Sequence, residues 1–386
     1  MADGRRQTRV LMACSGLGVI VRGYEAFMRT CFQALRDDPR LDVRLFKGGG
    51  AQNAAERTLA HFPRESVAAR IMGEVTGRGP YVVEQASFAA SLLPHLARER
   101  PDVVYFCDPA VGKVLQRWRR FRGSGFRLLF HNGGPQTPPF PWCDHIHQVS
   151  PVAVADAVAA GESADRQTLL PSGLDIGAPP VLALPEQRAG RRRALGFPAD
   201  RPVVLSVGAV NRGHKRMDYL IREIAAMPAP RPFLVMLGQQ ETDTPAVRVM
   251  ATLLLGEDGF AIHTVPKSAV GPYYHAADVF VLASLREGFG LAYAEALAHG
   301  LPCIAHDFPV ARFVLGDYGI FTDLSRPGAL VAALDATLGH PTSVDQLQRR
   351  YCAAVDRFSW GQLAPHYAEM LRRCAGHARQ PLLASA

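Results

Sequence analysis

Val279-Phe-Val-Leu282, then Glu287-Gly-Phe-Gly-Leu-Ala-Tyr-Ala-Glu295, then Ala296-Leu-Ala-His-Gly-Leu-Pro302 form the most informative stretch of this chain. The short apolar run reads as a buried strand, and the glycines after it open a helix. Gly288 and Gly290 let the backbone approach a ligand closely, and their N–H groups begin the helix, a favourable place for phosphate. Glu287 falls in the loop at the strand's carboxyl end. Glu295 lies further along and can point from the helix into the same cleft. Carboxylates are strong acceptors for paired sugar hydroxyls. Two glutamates at this spacing also arise by chance, one of them as a first-turn charge matching the helix dipole. The full string favours the binding reading.

Outward from this unit the same alternation repeats. Val10–Ala13, Leu41–Phe46, Val103–Phe106 and Leu128–Phe130 read as strands in the first part of the chain, with a helix over Gly23–Leu35 after the first of them. Pro202–Gly208, Phe233–Gly238, Ala261–Val265 and Pro302–Ala305 continue the pattern later. Strand–turn–helix repetition predicts parallel sheets covered on both faces, because parallel strands need helical crossovers. Between Ser172 and Arg201 the rhythm pauses in a proline-rich and then basic segment, which reads as a linker. The simplest account is α/β: two doubly wound Rossmann-like domains facing an interdomain cleft, with ligands beyond the carboxyl ends of the strands.

Composition agrees with that architecture. A chain of 386 residues is too long for one ordinary core. With 48% hydrophobic and 20% charged residues it is a packed globular protein. No run approaches the length of a membrane span, and the N-terminus lacks the apolar centre of a secretory signal. The 7 cysteines are odd in number, scattered and never spaced as CxxC. That excludes a disulfide framework or structural zinc site and points to a reducing cytosol. Net charge is +8. The local pattern says more: from Pro109 to Cys143 there is no acid, while Lys113, Arg117, Arg119, Arg120, Arg122 and Arg127 are all basic.

The string from Glu287 to Glu295 resembles the Glu-x7-Glu motif of the retaining glycosyltransferases of family 4, which have the GT-B fold. Other segments fall in that family's order. Leu205–Ile221 is similar to the first strand–loop–helix of the second domain, and Leu169–Asp175 to the segment closing the first. Phe308–Gly319 resembles the stretch after the glutamate motif. Phe358-Ser-Trp360 begins what looks like the terminal helix that crosses back. The resemblance implies an N-terminal acceptor-side domain over 1–178, a linker over 179–200, a donor-binding domain over 201–359 and the returning helix over 360–386. It also implies transfer of a sugar from a nucleotide-sugar donor to an acceptor hydroxyl on a glycan, a lipid-linked intermediate or a small natural product. Lys215 matches the basic residue that binds the donor pyrophosphate, a mobile charge able to follow a departing diphosphate. The amides of Gly288, Phe289, Gly290 and Leu291 would lie on that diphosphate, Glu287 on the transferred sugar and Glu295 on the ribose. The family usually has an arginine directly after the glycine of this loop. Here that position is Ala209, leaving Arg212 or Arg216 to supply the charge.

In the first domain, Gly16-Leu-Gly18 resembles the glycine loop that faces the donor phosphates, though any tight turn after a strand favours glycine. Arg22 and Glu25 follow as candidates for the same cleft. Many relatives carry a histidine after the strand equivalent to Val103–Phe106; here Cys107 and Asp108 stand there. Asp108 either bonds the sugar or acceptor or caps the helix opened by Pro109. His131, at the next loop, is a second candidate for the sugar or acceptor side, and the loops Lys47–Gly50 and Gly134–Trp142 for choosing the acceptor. Alternation puts His145 and His147 on one strand face, as metal ligands require, but no further ligand accompanies them, so a polar strand wall is expected and no metal. No Asp-x-Asp occurs, which suits metal-independent transfer with no cofactor beyond the nucleotide-diphosphate sugar co-substrate. The basic stretch Lys113–Arg127, with Trp118, Phe121 and Phe126 interleaved, suits either a solvated helix face or a peripheral contact with the inner membrane surface, and not nucleic acid. Two alternatives remain: a phosphorylase or nucleotide-sugar epimerase on the same fold, and a non-catalytic nucleotide-sugar-binding or membrane-docking protein.

Overall fold

The computed structural model describes residues 6–20, 23–134, 136–180 and 185–376. The chain divides into two compact units: residues 1–175 with 360–386, and residues 176–359.

The first unit holds seven strands: β1 (Thr8–Cys14), β2 (Leu41–Lys47), β3 (Glu56–Thr58), β4 (Val103–Phe106), β5 (Arg127–Asn132), β6 (His145–Gln148) and β7 (Gln167–Leu169), in the order β3-β2-β1-β4-β5-β6-β7. Every pairing is parallel. Strand side chains alternate between the two faces. Val10, Met12 and Cys14 of β1 join a core with Phe27, Met28 and Phe32 of helix Gly23–Leu35 and Trp360, Tyr367 and Leu371 of helix Trp360–Cys374. Leu11 and Ala13 face the opposite core, with Phe88, Leu92, Val111, Leu115 and Trp142. The chain therefore re-enters this unit at Trp360. Gly173 is needed there, because a Cβ on it would lie 2.6 Å from the Trp360 ring. The Trp360 amide donates to Leu174 at 3.1 Å and the Tyr367 hydroxyl to Pro171 at 2.8 Å.

The second unit holds β8 (Val203–Val207), β9 (Phe233–Leu237), β10 (Phe260–His263), β11 (Val279–Leu282), β12 (Cys303–His306) and β13 (Gly319–Thr322), in the parallel order β10-β9-β8-β11-β12-β13. β9 and β11 are buried along their whole length, as interior strands of a two-sided parallel sheet must be. In both sheets the strand order reverses beside the first strand, between β1 and β4 and between β8 and β11. These are the switch points where loops diverge and leave a crevice at the carboxyl ends.

Part of the stretch expected as a linker is structured: Pro185–Ala194 is a helix of the second unit. Its apolar content is too low for periodicity to reveal it, and ion pairs hold it instead. Asp278 takes Arg188 at 2.8 Å and also Arg192, while the Arg192 guanidinium donates to the carbonyls of Ala276 and Arg201, each at 3.0 Å. The short edge strands β3 (Glu-Arg-Thr) and β7 (Gln-Thr-Leu) carry little sequence signal for the same reason, few apolar residues.

Candidate functional site

The switch point of the second sheet brings Lys215 and Glu287 together. After β8 the chain turns through Asn211, whose side-chain oxygen accepts the Lys215 amide at 2.8 Å and whose amide group donates to Glu241 at 2.9 Å. Lys215 runs back over Gly208, where a Cβ would come within 2.9 Å of its Cε. Gly238 permits this turn in its own way, since a Cβ there would lie 2.0 Å from the Gly208 carbonyl oxygen. From the other side, the loop after β11 delivers Glu287. Lys215 Nζ donates to Glu287 Oε1 at 2.5 Å, and His214 Nε2 lies 3.4 Å from the same oxygen. The Glu287 side chain is 8% exposed. Burial alone would raise its pKa, but hydrogen bonds and charge from His214 and Lys215 outweigh it and hold the carboxyl at about 2. The result is a fixed carboxylate beside a lysine with two further N–H groups to give.

Gly290 adopts a left-handed φ of 82° at the helix cap, and the helix Leu291–Ala298 begins there. The N–H groups of its first turn have no carbonyl within the helix to bond. Gly288 is partly exposed, whereas the Phe289 side chain is buried edge-on against Phe358, so Phe289 can offer a donor only through its backbone. Glu295 is not bonded to Lys215. Its carboxylate accepts from Lys267 and, at 2.9 Å, from the Tyr274 hydroxyl. Each glutamate of the motif thus has its own lysine.

The two arginines proposed to stand in for the one missing at Ala209 are both engaged elsewhere. Arg216, at φ 51°, donates to the carbonyls of Ala283 (3.2 Å) and Leu324 (2.8 Å) and covers the Tyr219 ring. It braces the loop after β11. Arg212 is half exposed and lies 3.6 Å from Asp243.

In the first unit, the switch point gathers Ser15, Gly16, Gly18 and Asp108. Gly18 (φ 85°) is required by backbone packing: a Cβ would fall 2.1 Å from the Gly49 carbonyl oxygen, and Gly49 donates to Leu17 at 3.0 Å. Gly16 lies over Glu25, with a Cβ only 2.2 Å from its carboxylate. Arg22 is outside the described residues. Asp108 does not cap helix Pro109–Arg122 with its side chain; it accepts the Ser15 amide at 2.8 Å and ties the β4 end to the β1 loop. Burial raises its pKa, against the hydrogen bonds from Ser15.

His131 does not face an open surface. It is stacked on Phe27 with ring centres 4.0 Å apart, and its Nδ1 lies 2.9 Å from His147 Nδ1. His147 Nε2 lies 2.9 Å from the Leu170 carbonyl and must donate to it, so His147 Nδ1 is an acceptor with one lone pair, facing the Tyr105 hydroxyl at 2.7 Å and His131 Nδ1 at 2.9 Å. Burial holds His131 well below the ordinary histidine range. The residue is a core partner because a β5 position opposite His147 points under the first helix. His145 turns to Thr168 at 2.8 Å. Among the described residues, the group spaced to hold a metal is instead Cys14, Cys107 and Asp108, all buried. Lys47 is buried too, on Glu56 at 2.5 Å, so its side chain is spent inside the first unit. Phe140 and Trp142, in the loop Gly134–Trp142 expected to choose the acceptor, pack on Phe130.

Residues 187–351 match the family described as glycosyl transferases group 1. D-inositol 3-phosphate glycosyltransferase from Xylanimonas cellulosilytica is 31% identical over 251 residues, 60% of each chain. GDP-mannose:cellobiosyl-diphosphopolyprenol alpha-mannosyltransferase from Komagataeibacter xylinus is 30% identical over 173 residues, 43% of this chain and 44% of that protein. Among solved structures, sucrose-phosphate synthase from Thermosynechococcus elongatus superposes with TM-score 0.77 over 97% of this chain and 100% of its own, at 19% identity. Anabaena HepE in complex with UDP and glucose gives 0.72 over 95% and 100%, at 17% identity. The fold is GT-B, and the match to the group 1 glycosyl transferases lies within the second unit. The chain spans 60% of the length of the Xylanimonas relative.

Proposed function

We propose that the protein is a retaining, metal-independent glycosyltransferase of the hexosyltransferase type that moves a sugar from a nucleotide-diphosphate donor to an acceptor hydroxyl. The observation that carries this reading is the Lys215–Glu287 pair, 2.5 Å apart at the switch point of the second sheet. On this reading Glu287 accepts hydroxyls of the transferred sugar. Lys215 gives its remaining N–H groups to the diphosphate, together with the amides of Gly288 to Leu291. Glu295 accepts the ribose hydroxyls once Lys267, half exposed, swings aside. As the glycosidic bond breaks, charge builds on the leaving phosphate, where Lys215 stabilises it, and that phosphate takes the acceptor's proton on the same face of the sugar. No side-chain base is then required, which suits a chain whose His131 is locked in the core. Catalysis consists of positioning and charge stabilisation. The names of the relatives span a cyclitol phosphate and a lipid-linked saccharide, which supports a polyol or saccharide hydroxyl as the acceptor.

A cytosolic location with a peripheral membrane contact belongs to the same reading. The cysteines are unpaired, and among the described residues no helix is long and apolar enough to cross a membrane. Calorimetric titration of UDP, GDP, dTDP and ADP into the wild type and Lys215→Ala, without added metal, tests the donor site. We expect micromolar binding of one nucleotide, lost in the variant. No binding of any of the four would overturn the reading in favour of a non-catalytic protein.

A further inference from the structure

The sheet of the second unit has a second concave region, at the amino ends of its strands, opposite the carboxyl ends that carry Lys215 and Glu287. A cavity of about 350 Å3 lies beside Pro202, Asp278 and Pro302, the residues that lead into β8, β11 and β12. Its walls come from helix Pro185–Ala194, from the segment Tyr274–Ala277 and from the end of the helix that carries Glu295.

The charge in this cavity is unbalanced. Arg188, Arg191, Arg192 and Arg201 line it against Asp200 and Asp278. Asp278 is consumed, since it takes both Arg188 and Arg192. Arg191 is exposed, and neither it nor Arg201 has an ion pair among the described residues; Arg201 gives one N–H to the Asp258 carbonyl and covers the Phe233 ring. His275 and His299 line the same wall, with His275 Nε2 and His299 Nδ1 3.1 Å apart, so one imidazole donates to the other. Burial and the Arg191 charge hold the His275 pKa down, and burial, His275 and Lys267 hold His299 at about 4. With both histidines neutral, four arginines against two aspartates leave the cavity a positive potential that its lining does not neutralise. A guanidinium pairs with phosphate oxygens in a bidentate way that few other ligands match.

We propose that this cavity is a binding site for a small phosphorylated anion, held by Arg191 and Arg201 with the one N–H left over by the His275–His299 pair as a further donor. The site is separate from the donor site, and its existence does not depend on the function proposed above. It has a physical route to that site. Tyr274 lines the cavity, stacks on His299 with ring centres 4.7 Å apart, and gives its hydroxyl to Glu295 at 2.9 Å. An anion that rearranges the histidine pair therefore acts on the residue that orients Glu295.

Inorganic pyrophosphate serves as the probe, because it carries the phosphate chemistry without a nucleotide. Lys215→Ala removes the competing phosphate contact, so the titration is done in that background. We expect one saturable site by calorimetry, weakened at least tenfold by Arg191→Glu and largely retained by Arg191→Lys. Arg191 is exposed and braces nothing, so thermal unfolding without the anion should be unchanged in both. Absence of saturable binding in Lys215→Ala overturns the proposal, as does binding that Arg191→Glu leaves intact. Failure of the nucleotide titration in the wild type bears on the donor site alone, so the two outcomes are distinguishable.

Discussion

Lys215 and Glu287 are 72 positions apart in the chain and share one hydrogen bond. Each alone is an ordinary surface-loop residue. Together, in a crevice that leaves Glu287 only 8% exposed, they form a fixed pair of opposite charges aimed at whatever enters. Glu287→Ala and Lys215→Ala are each expected to lower turnover of nucleotide sugar by two or more orders of magnitude, the size of effect seen when one donor to a developing charge is lost. Initial rates with the donor class identified by calorimetry check this, and near-normal rates in both would remove the pair from the chemistry. His214 belongs to the same pair through its 3.4 Å approach to Glu287. No spacing rule marks it, since a histidine next to a lysine in a basic loop has no pattern until the loop after β11 is brought to it. Gly208 was silent for a like reason: its need for hydrogen in place of a side chain comes from the Lys215 stem lying across it.

Single elements carry charge in two different ways. Glu223, buried in helix Met217–Ala225, accepts the amides of Gly328 (2.8 Å), Leu330 (3.0 Å) and Val331 (3.3 Å) and so caps the helix Ala329–Leu338 from a neighbour. That carboxylate is structural, because both its oxygens are bonded to the open amides of a neighbouring helix start. Helix Pro109–Arg122 is the opposite case. Val111 and Leu115 enter the core and Arg119 pairs with Asp144, but Lys113, Arg117 and Arg120 are exposed without ion pairs among the described residues. Phe121 is 81% exposed beside them. Cationic residues around an exposed aromatic suit an anionic lipid surface, where the ring enters the interface and the charges meet headgroups. Co-sedimentation with vesicles containing phosphatidylglycerol is expected at low salt, reduced severalfold by Phe121→Ser and abolished by high salt. Equal sedimentation with neutral vesicles, or none with either, would leave the helix a plain solvated face.

At the scale of the whole molecule, acid stability follows from buried groups of both units. His131, His145 and His147 in the first unit and His299 in the second are held neutral by burial, the last three at about 4 against an ordinary value of 6.5. A folded pKa below the unfolded one means that the unfolded chain binds protons first as pH falls. Stability is therefore full above about pH 6.5 and declines as pH drops toward about 4. The Glu287 pair adds a later loss, between its ordinary 4.5 and about 2. Denaturant midpoints should fall steadily between pH 7 and pH 4.5, and His147→Gln should flatten that slope even if it lowers the midpoint at pH 7. A midpoint constant over this range in the wild type would contradict the neutral, buried assignment of the histidines.

The alternation of short apolar runs with helical stretches determined two parallel sheets, because a strand buried on both faces must be apolar along its length, as β4, β9 and β11 are. The string from Glu287 to Glu295 likewise determined a glycine turn into a helix, and Gly290 has the left-handed φ that this turn needs. Those are local matters, set by residues close in sequence. The helix over Pro185–Ala194 was hidden, since ion pairs to Asp278 hold it and charge pairing leaves no periodic trace. Partners across the chain were equally invisible. Asp108 stood open between a helix cap and a sugar contact until the β1 loop presented the Ser15 amide to it. His131 was a candidate for the sugar or acceptor side and is buried in fact, because only the tertiary structure lays Phe27 over it and sets His147 beside it. Sequence sets what a segment does alone; which polar groups find each other is decided when packing removes water and leaves each buried donor to the acceptor within reach.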